Sequence, residues 1–151
     1  MNRMGFNKRK KEKNLIIIAG CGRLGSNIAS LLSPQGKDVA VIDKDGSSFR
    51  KLSPDYGGFT IEADATDINA LKDAGAGEAG ILMAFTDNDN ANLMIAQIAK
   101  KIFEVPKVIT RLYDTEKESI LTGSNIDTIN PARLSIAAVD EIFARAREVE
   151  S

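Results

Sequence analysis

Three glycines in a short stretch are the residues whose type and spacing point most directly to chemistry. The apolar run Leu15–Ala19 ends in Gly20-Cys21-Gly22-Arg23-Leu24-Gly25, and a helical pattern begins directly after it. In a βαβ unit that binds a dinucleotide, the first glycine allows a tight turn, the second lets the backbone approach a pyrophosphate, and the third lets the helix pack close to the sheet. The free N–H groups at the start of that helix favour an anion. This stretch therefore predicts a site for an adenine nucleotide.

A carboxylate follows at the position where such a unit binds a ribose. Asp43 closes the second apolar run, about 20 residues after the glycine turn, and an acidic side chain there accepts hydrogen bonds from the adenosine ribose. Its charge would repel a 2′-phosphate, which disfavours NADP. Because NAD, ADP and ATP all carry this ribose, Asp43 identifies the adenosine and leaves the rest of the ligand open.

Two other stretches imitate known motifs but lack their context. The stretch 75–80 repeats the glycine spacing, yet it follows a helical pattern and precedes an apolar run, so we interpret it as a helix C-terminus and loop. The stretch 87–90, Asp-Asn-Asp-Asn, lacks the glycine and glutamate that a calcium loop needs further along. Asp89 or Asn90 is instead expected to cap the following helix.

The composition limits the possible classes of function. The chain has 151 residues, a net charge of −1, no histidine and one cysteine, Cys21. A disulfide within the chain is impossible, and both the usual general base and the commonest metal ligand are absent. No metal site is predicted, and the near-zero charge predicts no nucleic-acid partner. No apolar stretch approaches the ~20 residues of a membrane span, so we expect a cytoplasmic protein; residues 1–13, which contain a basic run, are expected to form a flexible arm.

Apolar runs alternate with helical patterns along the rest of the chain, which is typical of a parallel α/β sheet. We predict strands at 15–19, 39–43, 59–62, 81–85, 108–111 and 128–130. We predict helices at 24–32, 47–52, 68–73, 90–103, 116–121 and 132–149, the last capped by Asn130 with Pro131 in its first turn. This order fits a single Rossmann-like, doubly wound domain with the strand order 3-2-1-4-5-6 and a C-terminal helix.

Two of the predicted helices carry apolar residues around much of their circumference. These are the helices at 90–103 and 132–149, and a helix that is apolar on more than one side is buried on more than one side. In so small a domain, self-association is the favoured explanation, and burial within the monomer is the alternative.

Five motifs follow one another along the chain. They are the glycine stretch 20–25, Val41-Ile42-Asp43-Lys44-Asp45, Ala63-Asp64-Ala65-Thr66-Asp67, Phe85-Thr86-Asp87-Asn88-Asp89-Asn90-Ala91-Asn92 and Val108-Ile109-Thr110-Arg111. In these motifs and their order, nearly all of the chain after the basic arm, 14–151, resembles N-terminal RCK domains of the TrkA-N/KtrA type, the nucleotide-binding domains of potassium uptake systems and related channels. The later motifs are more specific than the glycine turn.

The resemblance implies a set of cofactor-binding residues and no catalytic ones. The glycines would hold the phosphates, Arg23 would approach the distal phosphates, Asp43 would take the ribose, and the later motifs would border the adenine and the distal end. The implied residues are Gly20, Cys21, Gly22, Arg23, Leu24, Gly25, Asp43, Lys44, Asp64, Ala65, Thr66, Thr86, Asp87 and Arg111.

The chain also departs from the family pattern. Ala63 replaces a usual glycine, and Ala132 replaces an acidic residue that often follows the proline, which argues against a divalent-cation site that uses that carboxylate. The chain stops at Ser151, so the second C-terminal lobe of many relatives is not expected.

The resemblance implies a regulatory subunit and not an enzyme. Such a subunit binds NAD(H), ATP, ADP or AMP, assembles as a dimer or ring at the inner face of the membrane, and gates a separate potassium-translocating membrane subunit. The alternative is an NAD-dependent oxidoreductase or a fragment of one. Tyr113 and Lys117 do spell the Y-x-x-x-K of short-chain dehydrogenases, but Lys100 stands near the position of the serine that those enzymes need.

Overall fold

A computed structural model describes residues 13–150 of the chain, with side chains up to Val149. The predicted basic arm lies almost entirely outside the described residues. Within residues 13–150, no helix is both long and apolar enough to cross a bilayer.

Six parallel strands form one sheet in the order β3-β2-β1-β4-β5-β6, which confirms the predicted topology. The strands are β1 (Leu15–Ala19), β2 (Asp38–Asp43), β3 (Phe59–Glu62), β4 (Ala79–Ala84), β5 (Lys107–Arg111) and β6 (Asp127–Ile129). The α-helices are α1 (Arg23–Leu32), α2 (Ile68–Asp73), α3 (Asp89–Lys101) and α4 (Pro131–Glu150). This is the Rossmann-like, doubly wound arrangement that the alternation of apolar and helical segments predicts.

The core has one layer on each face of the sheet. Along β1, Ile17 and Ala19 pack with Leu71 of α2 and Ile95 of α3, whereas Ile16 and Ile18 pack with α1 on the other face. Both faces of the central strands are buried, which explains why these strands are continuous apolar runs instead of alternating ones. The β-branched residues of β1 also favour an extended backbone.

Two of the predicted helices are 3₁₀-helices, so their assignment as ordinary helices is corrected. They span Gly46–Lys51 and Thr115–Leu121. Each closes with an i→i+3 hydrogen bond: the N–H of Leu52 donates to the oxygen of Phe49, and the N–H of Thr122 donates to that of Ser119. These i→i+3 bonds are those of a 3₁₀-helix and not the i→i+4 bonds of an α-helix.

The predicted helix cap is confirmed at α4 and is wrong at α3. The side-chain oxygen of Asn130 accepts from the N–H of Arg133 at 3.0 Å, so Asn130 caps α4 as expected. Helix α3 is capped by Asn88, whose side chain accepts from the N–H of Ala91 at 2.9 Å, and not by Asp89 or Asn90. Asp89 instead accepts from two backbone N–H groups after β5, which fixes the start of α3 to that loop.

The two apolar helices have opposite environments. In α3, Ile95 is 1% exposed and its neighbours on the same face are also buried, so the core accounts for most of its apolar residues. In α4, Leu134 is 61% exposed and Phe143 is 63% exposed. Residues 13–150 therefore cover most of the apolar side chains of α3 and leave those of α4 exposed.

Candidate functional site

The glycine loop leaves β1 at the carboxyl edge of the sheet and leads directly into α1. Gly20 has a φ of +107°, and a Cβ atom at this position would lie 2.6 Å from the backbone oxygen of Phe85. At Gly25 a Cβ atom would lie 1.9 Å from the backbone oxygen of Gly20. The fold itself therefore requires these two glycines, one for the turn and one for the close approach of α1 to the loop.

Gly22 is different, because no residue that the structure describes requires glycine here. Its φ of −82° and ψ of −160° are open to any residue, and a Cβ atom there would meet no atom of residues 13–150 within 4 Å. Gly22 also lines a cleft of about 630 Å³ at this edge of the sheet. The absence of a side chain leaves the backbone at the start of α1 open to a group in the cleft.

Asp43 joins the end of β2 to the glycine loop. One carboxylate oxygen accepts from the N–H of Cys21 and the other from the N–H of Asp45, each at 2.8 Å. Each oxygen retains acceptor capacity, because a carboxylate has about four lone-pair sites. Asp43 thus shapes the loop and still presents acceptors to the cleft.

Cys21 is fully buried beneath the loop. Its thiol donates to the oxygen of Ser48 at 3.4 Å, and burial, followed by the nearby Asp43 carboxylate, raises the pKa of the thiol. The protonated form dominates at neutral pH, so Cys21 acts as a small packing residue and not as a nucleophile.

A tight turn after β3 forms another part of the cleft wall. One carboxylate oxygen of Asp64 accepts from both the N–H and the hydroxyl of Thr66, at 2.9 and 2.7 Å. These bonds, the hydroxyl bond foremost, lower the pKa of Asp64. The turn thereby places Asp64, Ala65 and Thr66 in the lining of the cleft.

Arg111 ends β5 on the far side of the cleft from Asp43. It is 9% exposed; Nη2 donates to the backbone oxygens of Phe85 and Thr86 at 3.2 and 2.9 Å, and its guanidinium lies 5.0 Å from the centre of the Tyr113 ring. Its Nε has no partner, and it forms no ion pair with any residue in the described part of the chain. A buried cation without an anion is costly, so this guanidinium favours an anionic ligand in the cleft.

Most of the predicted site residues meet in this one cleft. It is lined by Gly20, Cys21, Gly22, Asp43, Lys44, Asp64, Ala65, Thr66, Thr86, Asp87 and Arg111. Three predicted residues are not part of the lining. Leu24 packs in the core and Gly25 contacts the loop backbone, whereas Arg23 is exposed in the first turn of α1, where contact with a ligand stays a prediction.

Several residues that line the cleft are not among those predicted from the sequence. Lys51 is brought to the loop by the 3₁₀-helix after β2, and its Nζ donates to the oxygen of Cys21 at 3.5 Å. Ala91 and Met94, from the first turns of α3, also line the cleft. Their positions depend on the packing of separate segments, for which the local sequence gives no signal.

The second glycine stretch and the Y-x-x-x-K pair do not have the structural context that their motifs require. Gly75, with a φ of +96°, follows α2, which agrees with a helix C-terminus and loop. Tyr113 lies in the loop after β5 and Lys117 in a 3₁₀-helix, so they do not share a long helix. Among residues 13–150, no group of three or more Cys, Asp or Glu is placed to hold a metal ion.

Comparison with known proteins decides the family. The model of the TrkA-N domain family matches residues 16–131. The chain belongs to this family. The resemblance to N-terminal RCK domains seen in the sequence is thereby confirmed.

Curated relatives of this TrkA-N domain are potassium uptake proteins. The Trk system potassium uptake protein TrkA of Streptomyces coelicolor is 39% identical over 118 residues, which cover 78% of this chain and 53% of that protein. The TrkA homolog of Pyrococcus abyssi is 36% identical over 105 residues, 70% of this chain and 46% of that protein. The chain thus spans about half the length of these relatives.

Solved structures share the fold. The TrkA-N domain of the inner membrane protein ybaL from Escherichia coli has a TM-score of 0.76 at 18% identity, covering 85% of this chain and 96% of that one. The Kef CTD of Shewanella denitrificans, in an AMP-bound form, has a TM-score of 0.67 at 25% identity, covering 87% and 81%. GsuK bound to ADP has a TM-score of 0.71 at 21% identity, covering 88% and 34%.

Proposed function

We propose that this TrkA-N domain binds an adenine nucleotide in the cleft and thereby regulates a separate potassium-translocating membrane protein. The observation that carries the proposal is Gly22: the packing of the described residues does not require its missing side chain, which opens the start of α1 to the cleft. Two further features support it: the spare acceptors of Asp43 and the buried guanidinium of Arg111, which has no acidic partner among residues 13–150.

The positions of these groups fit the parts of a nucleotide. Asp43 ends β2, the glycine loop follows β1 beside it, and Arg111 ends β5, two strands beyond β1. At about 4.8 Å between strands, Asp43 and Arg111 are separated by about 14 Å across the sheet edge. We assign Asp43 to the adenosine ribose, the backbone N–H groups at Gly22 to the first phosphate, and Arg111 to the anionic part of the ligand beyond it.

The proposed role is regulation and not catalysis. A ligand changes an assembly when it binds two conformations with different affinity, and coupling of this kind is typically worth about 1–3 kcal/mol. Helix α4 is the natural contact between copies of the chain, because its exposed apolar residues, such as Leu134 and Phe143, have no cover within residues 13–150. We therefore propose a homodimer, or a ring of dimers, at the cytoplasmic face of the membrane. The names of the TrkA relatives support the link with potassium transport.

Calorimetric titration with ATP, ADP, AMP and NADH tests the binding proposal, and it also identifies the preferred ligand. We expect saturable binding of at least one of them with a stoichiometry of one per chain. The absence of binding by all four would refute the proposal. The oxidoreductase alternative would gain support only from steady consumption of NADH with a small carbonyl substrate.

A further inference from the structure

A buried asparagine that does not line the cleft ties two of its walls together. We propose that Asn92 is a positioning residue, which holds Thr86 and Arg111 in place for the phosphates beyond the first one. This inference rests on the proposed nucleotide site. It concerns ligand discrimination, because AMP ends at its first phosphate, whereas ADP and ATP extend toward Arg111.

The side-chain amide of Asn92 uses all of its main hydrogen-bonding capacity. Its oxygen accepts from the N–H of Thr86 at 2.9 Å and from the hydroxyl of Thr86 at 2.6 Å. Its nitrogen donates to the oxygen of Thr86 at 3.0 Å and to the oxygen of Arg111 at 2.8 Å. Two acceptor bonds and two donor bonds saturate the group, which is 0% exposed.

The bonds of Asn92 form a closed network with the guanidinium of Arg111. The backbone oxygen of Thr86 accepts from Asn92 and also from Nη2 of Arg111, at 2.9 Å. Asn92 therefore fixes both the backbone of Arg111 and the carbonyl group on which its guanidinium rests. When Asn92 is removed, the loop after β4 and the end of β5 lose their shared anchor.

The shape and charge of the side chain make this role specific to asparagine. Serine at this position is shorter and offers one hydroxyl in place of an amide, so it cannot keep all four bonds. Aspartate lacks the two donors and would also repel phosphate through its own charge, so it would change the hydrogen bonding and the electrostatics at the same time. Neutral replacements, Asn92→Ala and Asn92→Ser, therefore separate positioning from electrostatics.

The test is the ratio of ADP affinity to AMP affinity, measured by calorimetry on the full chain. We expect Asn92→Ala to lower this ratio at least fivefold and Asn92→Ser to lower it less. Ile98→Ala is the matched control, because Ile98 is buried on the same helix and takes no part in the network. The control should lose stability while its ADP-to-AMP ratio stays within twofold of the wild type.

A second measurement remains decisive if the Asn92 variants do not fold. Amide hydrogen exchange of the wild type should show that ADP protects the N–H of Thr86 more strongly than AMP does. Equal protection by the two ligands, or an unchanged affinity ratio in folded Asn92 variants, overturns the positioning role and leaves the nucleotide site standing. If the wild type binds neither ADP nor AMP, the inference is refuted, whereas the proposed function is refuted only if ATP and NADH also fail to bind.

Discussion

Substitution of Gly22 by alanine separates the demands of the ligand from those of the fold. The backbone of Gly22 is acceptable to alanine, and the new Cβ atom would meet no atom of the described part of the chain within 4 Å. Two small effects on stability oppose each other, since a lost glycine stiffens the unfolded chain while alanine is a poorer N-cap. We therefore expect Gly22→Ala to keep the free energy of unfolding within about 1 kcal/mol of the wild type.

The same methyl group would occupy the approach of a phosphate to the start of α1. If it breaks a single charge-assisted hydrogen bond from the loop, the loss is about 1.5–3 kcal/mol. Since 1.4 kcal/mol corresponds to a factor of ten, the affinity should fall roughly 10- to 100-fold. Calorimetry with the nucleotide that binds the wild type most tightly measures this loss, and urea unfolding measures the stability.

Gly77→Ala provides the matched control. A Cβ atom at Gly77 would also meet nothing within 4 Å among the residues that the structure describes. Its φ lies outside the left-handed region, and Gly77 does not line the cleft. We expect this variant to bind nucleotide as the wild type does. Wild-type affinity in folded Gly22→Ala would refute the idea that phosphates lie against Gly22.

Three further predictions follow from particular contacts. Asp43→Ala should weaken adenine nucleotide binding by about 1–3 kcal/mol, and it should also lower stability because two loop N–H groups lose their acceptor. Calorimetry measures the first effect and urea unfolding the second, and an unchanged affinity would contradict the assignment of Asp43 to the ribose. Burial raises the pKa of Tyr56 to about 12 from the usual 10. The contribution of the neutral phenol to stability is therefore fully present below pH 10 and is lost as the pH rises toward 12. Unfolding curves recorded between about pH 9 and 12 should show that the free energy of unfolding falls less steeply for Tyr56→Phe than for the wild type. Phe143→Glu should abolish self-association, because it places a charge in the exposed apolar face of α4; light scattering over a concentration series measures this, and an oligomer that persists would exclude this face as the contact.

The sheet was predictable because its signals are local. Each central strand is buried on both faces and therefore appears as an apolar run, and the turn after β1 requires glycine at Gly20 for its positive φ. Asp43 was predictable for the same reason, since its distance from the glycine turn is set by one βαβ unit. These features depend on neighbouring residues and on a fixed spacing.

The features that the sequence did not reveal depend on contacts between distant segments. Asn92 reaches Arg111 nineteen positions along the chain, and Lys51 reaches Cys21 across thirty. The helices α3 and α4 have similar apolar patterns, yet most apolar residues of α3 are buried and those of α4 are exposed. Periodicity shows that a helix has an apolar face, whereas the rest of the fold determines what covers that face.

The central claim is that nucleotide in this cleft controls ion movement through another protein. The direct measurement is potassium flux in vesicles that contain the membrane protein co-purified with this protein from its own cell. Flux should change when the wild-type protein and its nucleotide are added together, and Gly22→Ala should require a nucleotide concentration roughly 10- to 100-fold higher for the same change. Identical flux with and without the wild-type protein and its nucleotide would contradict the account.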